Sequence, residues 1–357
     1  LIPKALSEYG SIMSKIGLKA LSEHLGLTEG TVLRAINDYP DIAAETRERV
    51  KSAAAKLGYR PNSSARRLAT GKAECIGYVM PWQAGHISEP FLGELLDGLS
   101  QIASERQWDL SLAVSRSAQD ELSIIARMAQ SGRVSGVVIT RIMTHDPRIE
   151  RLRKLGIPFV AHGRSLESDD HAWFDIDNAA ALGEAVDHLV GLGHRAIAHI
   201  HGPLDYNFSV SRRAGYRRGL LENNLDLNPA WEAKSDMSVD GGYRAMRYLL
   251  SLEDVPTAVV CVSDMVAIGA MKAIREIGWR PGKEVSIIGY DGVPISEHTH
   301  PALTTMAQPL QSAGVRIGEM LLAVIDGDTP SDHQELWHAT LERRETDGPP
   351  HEGRHMS

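Results

Sequence analysis

The sequence predicts an α/β protein in two parts, a small three-helix head followed by a larger body of doubly wound parallel sheets. Three observations lead to this. Residues up to Gly58 place apolar side chains at helical spacing. From residue 73 onward, short β-branched runs alternate with amphipathic stretches, the pattern of strands and crossover helices in a parallel sheet. Between the two lies "YRPNSSARRLATGK", residues 59–72, a cationic connector with a single leucine, Leu68. At 357 residues the chain exceeds one ordinary core, and the run of strand–helix units suits two sheets better than one.

In the head, Leu18, Leu21 and Leu25 line one side of a first helix that Gly26 stops. Thr28 is placed to cap a second helix, with Val32, Ala35 and Ile36 on one face. A third runs from Asp41 or Glu45 to Gly58, with Ile42, Val50, Ala54 and Leu57 as its inner stripe. Helix, short turn and helix in this span make the helix-turn-helix unit. In the body, "CIGYVM", "DLSLAV", "GVVIT", "IPFVA", "AIAHIH", "TAVVCV" and "VSIIGY" read as strands. "EPFLGELLDGLSQIASERQ", "NAAALGEAVDHLVGLG" and "DMVAIGAMKAIREIG" read as helices. The Pro/Gly-rich tail, residues 346–357, reads as disordered.

The net charge of −8 conceals an asymmetry. Residues 1–72 hold 12 Lys/Arg against 7 Asp/Glu, a net +5, and the remainder holds 26 against 39, a net −13. A basic head on an acidic body implies that the head alone meets a polyanion. No run of about 18 apolar residues is present to span a membrane. Glu8 and Lys15 break the apolar character of the first residues, so no secretory signal is expected there. Cys75 and Cys261 each sit in an apolar run, which argues against a disulfide framework and for the cytoplasm.

The motifs for catalysis fail on context. "GLGHRA", residues 191–196, fits G-x-G-x-x-A, but its glycines follow a helix and precede a strand, the reverse of a dinucleotide site. They read as a helix end. His199 and His201 share a strand face, and His298 and His300 are similarly spaced, without the companions a metal needs. Neither a G-x-S-x-G elbow nor a P-loop occurs. The expectation is a non-enzyme with no cofactor and no metal.

Polar residues fall where ligands of doubly wound sheets bind, at the carboxyl ends of strands. Ser263 and Asp264 follow "AVVCV", Asp291 follows "VSIIGY", and Arg212 opens "SRRAGYRRGLLE". A carboxylate, a guanidinium and aromatic faces such as Trp82, Phe91 and Trp173 are the chemistry of a sugar site. Helix caps and core aromatics would explain the same residues, and Asp264, which opens a helix, is as well read that way. In the second helix of the head, Glu29, Gly30 and Arg34 fall on the face that would meet bases, and Thr28, Thr31 and Asn37 suit phosphate oxygens.

The order "LGLTEGTVLRAIN", "ETRERVKSAAAKLGYRPNSSARRLATGK", "IGYVMP" resembles the lactose-repressor/galactose-repressor (LacI/GalR) family of bacterial regulators. The resemblance continues through "LGHRAIAHI", "SRRAGYRRGL", "DMVAIGAMKAI", "VSIIGYDG" and "PALTTMAQPL". It implies a helix-turn-helix head (17–58), a hinge (59–72) and a periplasmic-binding-protein-like body (73–345). The body's first lobe would hold about 73–174 and 308–337, its second about 175–307 and 338–345. It further implies a hinge that becomes helical in the minor groove of an operator, with Leu68 as its wedge, Asn62 at its start, Ala65 beside the wedge, and Arg66 and Arg67 drawn to phosphates. Effector positions carried over are Arg212, Asp291, Gln308 and Phe91. The chain departs from the family pattern in several places. Leu33 replaces a serine, Ser263 replaces an asparagine, and Met237 stands where relatives place an aromatic. "AHGR" lacks an aspartate, leaving His162 and Arg164 as substitutes. The implied protein is a homodimeric, cytoplasmic, operator-binding regulator of sugar metabolism, a repressor, with double-stranded DNA and a small sugar effector as partners and no membrane. The alternative is a stand-alone periplasmic-type sugar-binding protein, which would need a signal peptide and no such head.

Overall fold

The computed structural model describes residues 16–59, 73–80, 90–166 and 170–351. These form two compact units that divide between Ala73 and Glu74.

The first unit is three helices, α1 (Leu18–Leu25), α2 (Glu29–Ile36) and α3 (Ala44–Leu57). Gly26 ends α1 with φ 64°, a left-handed conformation that costs glycine nothing. The Thr28 side chain then caps α2 by accepting from the Thr31 N–H at 3.1 Å. The inward faces meet in a small core of Leu21, Val32, Ala35, Val50 and Ala54.

In the second unit, β1 (Cys75–Met80), β2 (Asp109–Val114), β3 (Gly136–Thr140), β4 (Phe159–His162), β5 (Ala172–Ile176) and β11 (Gln334–Trp337) make one sheet, ordered β11-β5-β4-β3-β1-β2 and parallel throughout. The second sheet holds β6 (Ile197–His201), β7 (Glu232–Lys234), β8 (Ala258–Cys261), β9 (Ser286–Asp291), β10 (Thr304–Ala307) and β12 (Thr340–Glu342), ordered β12-β10-β9-β8-β6-β7. Only its edge pair, β10 with β12, runs antiparallel. The chain thus passes between sheets after β5, after β10 and after β11.

Helices cover both faces of each sheet. They are α4 (Pro90–Glu105), α5 (Ala118–Gln130), α6 (Pro147–Lys154), α7 (Asn178–Gly191), α8 (Asn207–Glu222), α9 (Val239–Leu250), α10 (Asp264–Glu276) and α11 (Leu310–Asp326). One apolar cluster runs from Ile76, Val138 and Phe174 of the first sheet to Ile197, Ile288 and Met306 of the second. Separate clusters fill the remaining faces, one under α9 and α10 and one under α5 and α6. Close packing of α4 on α11 requires glycine at the crossing, because a Cβ on Gly98 would strike the Gln311 carbonyl and one on Gly314 the Leu95 carbonyl. Both cysteines are free thiols. No helix among the described residues is long and apolar enough to cross a membrane.

The expectation of a disordered tail from residue 346 is overturned for residues 346–351. Thr346 is fully buried beside β9, where its carbonyl accepts from the Ile287 N–H at 2.8 Å. Its hydroxyl donates to the Ile287 carbonyl at 2.7 Å and accepts from the Thr304 N–H at 2.9 Å. Burial works against ionisation of Asp347, but bonds from Thr304, His188 and Arg343 outweigh it and hold the carboxyl below its usual range. The Gly348 carbonyl accepts from His194 at 2.8 Å and from Ser286 at 2.9 Å. The segment looked like a tail because it is polar, but Thr346, Asp347 and Gly348 find their partners in the protein rather than in water. The rest of that tail, 352–357, lies outside the described residues.

Thr346→Val keeps the shape and deletes both hydroxyl bonds, leaving the Thr304 N–H buried without its acceptor. Urea unfolding of the body is expected to show a loss of about 1–3 kcal/mol. Unchanged unfolding would mean that this segment contributes nothing to the fold.

Candidate functional site

A cleft lies at the carboxyl ends of both sheets, with about 610 Å³ of empty space counted to its mouth. Its floor is built around Arg212 on α8, which is almost fully buried. The guanidinium donates from Nε to Asn178 Oδ1 at 2.8 Å and from Nη1 to the Val262 carbonyl at 2.5 Å. It stacks on the Tyr290 ring at 3.5 Å, with Phe208 at 4.9 Å on the cleft side. Asp291 Oδ1 stands 3.8 Å from Nη1 and accepts from Gln308 Nε2 at 2.8 Å.

The network continues toward the first sheet. Asn178 Oδ1 also accepts from the Tyr290 hydroxyl at 3.0 Å, and its Nδ2 reaches Asp175 Oδ1 at 3.3 Å and the Ile176 carbonyl at 2.8 Å. Asp175 Oδ2 accepts from Arg164 Nε at 2.9 Å. Burial raises the Asp175 carboxyl above its ordinary value, with Arg164 opposing. Across the cleft, the His162 imidazole lies parallel to the Phe91 ring, centroids 5.7 Å apart and planes 11° apart. Burial, and then the charge of Arg212, pushes its pKa down to about 4, so it is neutral at physiological pH, with one ring donor and one acceptor.

Backbone strain concentrates here. Six described non-glycine residues have positive φ, and three of them, Arg141 (54°), Met237 (68°) and Asp291 (115°), line the cleft. Such conformations cost of order 1–3 kcal/mol each and persist where surrounding structure enforces them. For Asp291 the enforcing group is Asp264. Its Oδ2 accepts from the Val293 N–H at 2.9 Å and its Oδ1 from the Thr305 hydroxyl at 2.6 Å.

Of the residues expected at the site, the structure brings Phe91, His162, Arg164, Arg212, Met237, Asp291 and Gln308 to one cleft. Ser263 and Asp264 are corrections, because neither lines it. Ser263 caps α10, accepting from the Val266 N–H at 3.3 Å, and Asp264 is wholly buried beneath the Asp291 turn. Trp82 lies outside the described residues. Trp173 sits behind the cleft with the Arg164 guanidinium 5.1 Å over its ring. Sequence reasoning missed Arg141, Asp175, Asn178 and Phe208. Asp175 and Asn178 sit on the β5–α7 crossover, at a strand carboxyl end like Asp291, and that placement was the available signal.

His199 and His201 are packing groups. Each Nδ1 donates to a carbonyl, that of Val260 at 2.9 Å and that of Gly202 at 2.7 Å. Among the described residues no group of three His, Cys, Asp or Glu is arranged to hold a metal.

In the head, Thr28, Glu29, Gly30 and Arg34 are exposed on α2, while Thr31 and Asn37 are half-buried at its two ends. Arg34 pairs with Asp41 and lies 5.3 Å over the Tyr39 ring. The expected hinge residues Asn62, Ala65, Arg66, Arg67 and Leu68 lie outside the described residues.

Residues 24–62 match the model of bacterial regulatory proteins, lacI family, and residues 186–346 that of the periplasmic binding protein-like domain. The HTH-type transcriptional regulator AglR of Rhizobium meliloti (strain 1021) is 44% identical over 340 residues, 94% of this chain and 95% of that protein. The HTH-type transcriptional regulator RafR of Escherichia coli is 35% identical over 324 residues, 90% of this chain and 96% of that one. Among solved structures, the transcriptional regulator CelR–cellobiose complex aligns with TM-score 0.72 at 30% identity, covering 93% of this chain and all (100%) of that one. The lac repressor dimer bound to operator and the anti-inducer ONPF aligns with TM-score 0.78 at 26% identity, covering 93% and 99%.

Burial, and then the charge of Asp291, raises the Asp264 pKa from an ordinary 3.8 to about 8. The folded protein therefore holds this proton where the unfolded chain has lost it. Its contribution to stability is complete below pH 4 and is lost as pH rises to about 8. Relative to wild type, Asp264→Asn is expected to flatten the fall in stability between those pH values, as read by urea unfolding at successive pH. Parallel curves for the two proteins would mean that Asp264 is ionised in the fold.

Proposed function

This chain belongs to the LacI family of bacterial regulatory proteins, and from that premise we propose that it is a cytoplasmic, operator-binding transcriptional repressor of sugar metabolism. The observation that carries the proposal is the pairing, in one chain, of an exposed recognition-type helix with a cleft whose groups suit a polyol. The head supplies Glu29, Gly30 and Arg34 to base edges and Thr28, Thr31 and Asn37 to phosphates. An exposed ion pair such as Arg34–Asp41 is worth little, so Arg34 exchanges it for a guanine at small cost. The connector holding Asn62, Ala65, Arg66, Arg67 and Leu68 would act as a hinge that folds into the minor groove and wedges Leu68 into a base step.

In the cleft, Asp291 accepts from sugar hydroxyls, Arg212 and Gln308 donate, and Phe91 and Phe208 offer faces to ring C–H groups. A neutral His162 reads a further hydroxyl. A sugar is supported by this chemistry and by the cellobiose bound to the related CelR. A stand-alone sugar-binding protein would have no use for the head.

A homodimer fits the same reading, since two half-sites need two heads. Edge strand β2 leaves Leu112 48% and Val114 40% exposed, an apolar strip suited to a second copy.

Two measurements test the proposal. Arg34→Ala is expected to weaken operator binding by about 1–3 kcal/mol and to relax base preference at one symmetric position. Unchanged affinity and selectivity would remove Arg34 from base reading. Asp291→Ala is expected to abolish the effect of the cognate sugar on operator binding while leaving binding without sugar nearly intact. Calorimetry giving a normal sugar affinity for that variant would overturn the cleft assignment and leave the DNA assignment standing.

A further inference from the structure

We propose a second ligand site at the amino ends of β9 and β10, a cationic pocket that takes a small phosphorylated metabolite. Arg275, Arg280, Lys283 and His300 line it, opposed by one carboxylate, Glu345. The polypeptide beyond residue 72 carries a net −13, so three permanent cations against Glu345 and the adjacent Glu284 reverse the local sign. Phosphate monoesters are bound by such convergent charged donors.

The donors are only partly committed. Arg275 Nη1 donates to the His300 carbonyl at 3.2 Å, which fixes one arm of its guanidinium and leaves the others for a ligand. The Arg280 guanidinium has no carboxylate in ion-pair reach among the described residues. It is the backbone N–H of Arg280 that binds Glu284, at 2.7 Å. Lys283 Nζ pairs with Glu284 at 3.5 Å, a half-exposed pair that a ligand can displace at small cost. Glu345 is itself engaged, with Oε2 accepting from the Ala302 N–H at 2.7 Å.

Size and lining point to an ester rather than a bare anion. The pocket offers about 440 Å³ of open cavity, more than inorganic phosphate fills. The rings of Pro281 and Pro301 form apolar walls beside the cations, placed for the organic part of the ligand. The site is distinct from the cleft already described. Asp291 ends β9 and Gln308 follows β10, whereas this pocket lies before Ser286 and Thr304, at the other end of the same strands. At about 3.3 Å per residue, six-residue β9 separates the two by roughly 20 Å.

The test is isothermal titration of the full chain with glycerol 3-phosphate, inorganic phosphate and glycerol, at constant ionic strength in chloride. The expected result is saturable, one-to-one binding of glycerol 3-phosphate and none of glycerol. The exposed double variant Arg280→Ala/Lys283→Ala should weaken binding about tenfold or more, as loss of charge-assisted bonds requires. Glu345→Gln should tighten it several-fold, because the amide oxygen still accepts from Ala302 while the repelling charge is gone. No saturable uptake, or an affinity that neither variant moves, overturns the proposal. Binding of inorganic phosphate without the ester would reduce the pocket to an adventitious anion site and overturn it equally.

Discussion

The body depends on one buried cation. The Arg212 guanidinium is removed from water, and a buried charge is tolerated only when paired and hydrogen-bonded. Its requirements select its surroundings. The Val262 carbonyl just beyond β8, Asn178 at the start of α7, Asp291 at the end of β9 and the Tyr290 ring must all converge on it. Asn178 then passes the constraint onward, because its amide binds Asp175 and the Ile176 carbonyl of β5. A polar chain therefore runs from Asp291 through Arg212, Asn178 and Asp175 to Arg164, from one sheet to the other. A ligand that takes a bond from any member changes what holds the two sheets together. This gives the cleft a physical means of altering the body's conformation.

The strain at Asp291 belongs to the same arrangement. A residue at φ 115° would relax unless something held the following backbone. Asp264 does so from below, through the Val293 N–H, and stays protonated at neutral pH because burial and the neighbouring Asp291 charge disfavour its ionised form. Two carboxyls close in space thus divide the work. One keeps its proton and shapes the turn, and the other faces the cleft. A second buried network sets the opposite wall. Arg148 binds Asp146 at 2.6 Å, Glu121 at 2.7 Å and the Thr140 carbonyl at 2.9 Å, fixing the loop that presents Arg141 and Ile142 to the cleft.

Most central strands were legible because they are buried on both faces and read as unbroken apolar runs, as in "GVVIT" and "VSIIGY", whereas Ala172–Ile176 and Thr304–Ala307, which carry polar residues, were not. Three edge strands were not, although the edge strand "DLSLAV" was. Glu232–Lys234, Gln334–Trp337 and Thr340–Glu342 are short and half exposed, so neither alternation nor a continuous apolar run marks them. In the cleft, Arg212, Asp291 and Gln308 were legible from their place at strand and helix ends and from family resemblance. Ser263 and Asp264 satisfied the same criterion and failed, since a strand end followed by Ser-Asp is equally a helix cap. Asp175 and Asn178 were missed because the strand that carries the one and precedes the other, Ala172–Ile176, was itself not recognised. The packed segment after residue 345 was missed for a different reason. Composition records that a residue is polar, but not whether its partner is water or protein.

The charge asymmetry acquires its meaning from these two kinds of surface. Among its described residues the head buries five apolar side chains completely enough to form a core, and three helices over some forty residues leave little stability to spare. It has no interior in which to build a ligand site. What it offers is an exposed helix face and cations, which suffice for a polyanion whose charge is regular along its length. The body has the opposite resources. Its cores are large enough to bury Arg212 and Arg148 and to hold Asp264 protonated, and only such an interior turns the binding of an uncharged ligand into a mechanical consequence. A surface for a polyanion and a cleft for an uncharged ligand therefore fall to different units because they need different physical environments, and residues 59–72 join the two.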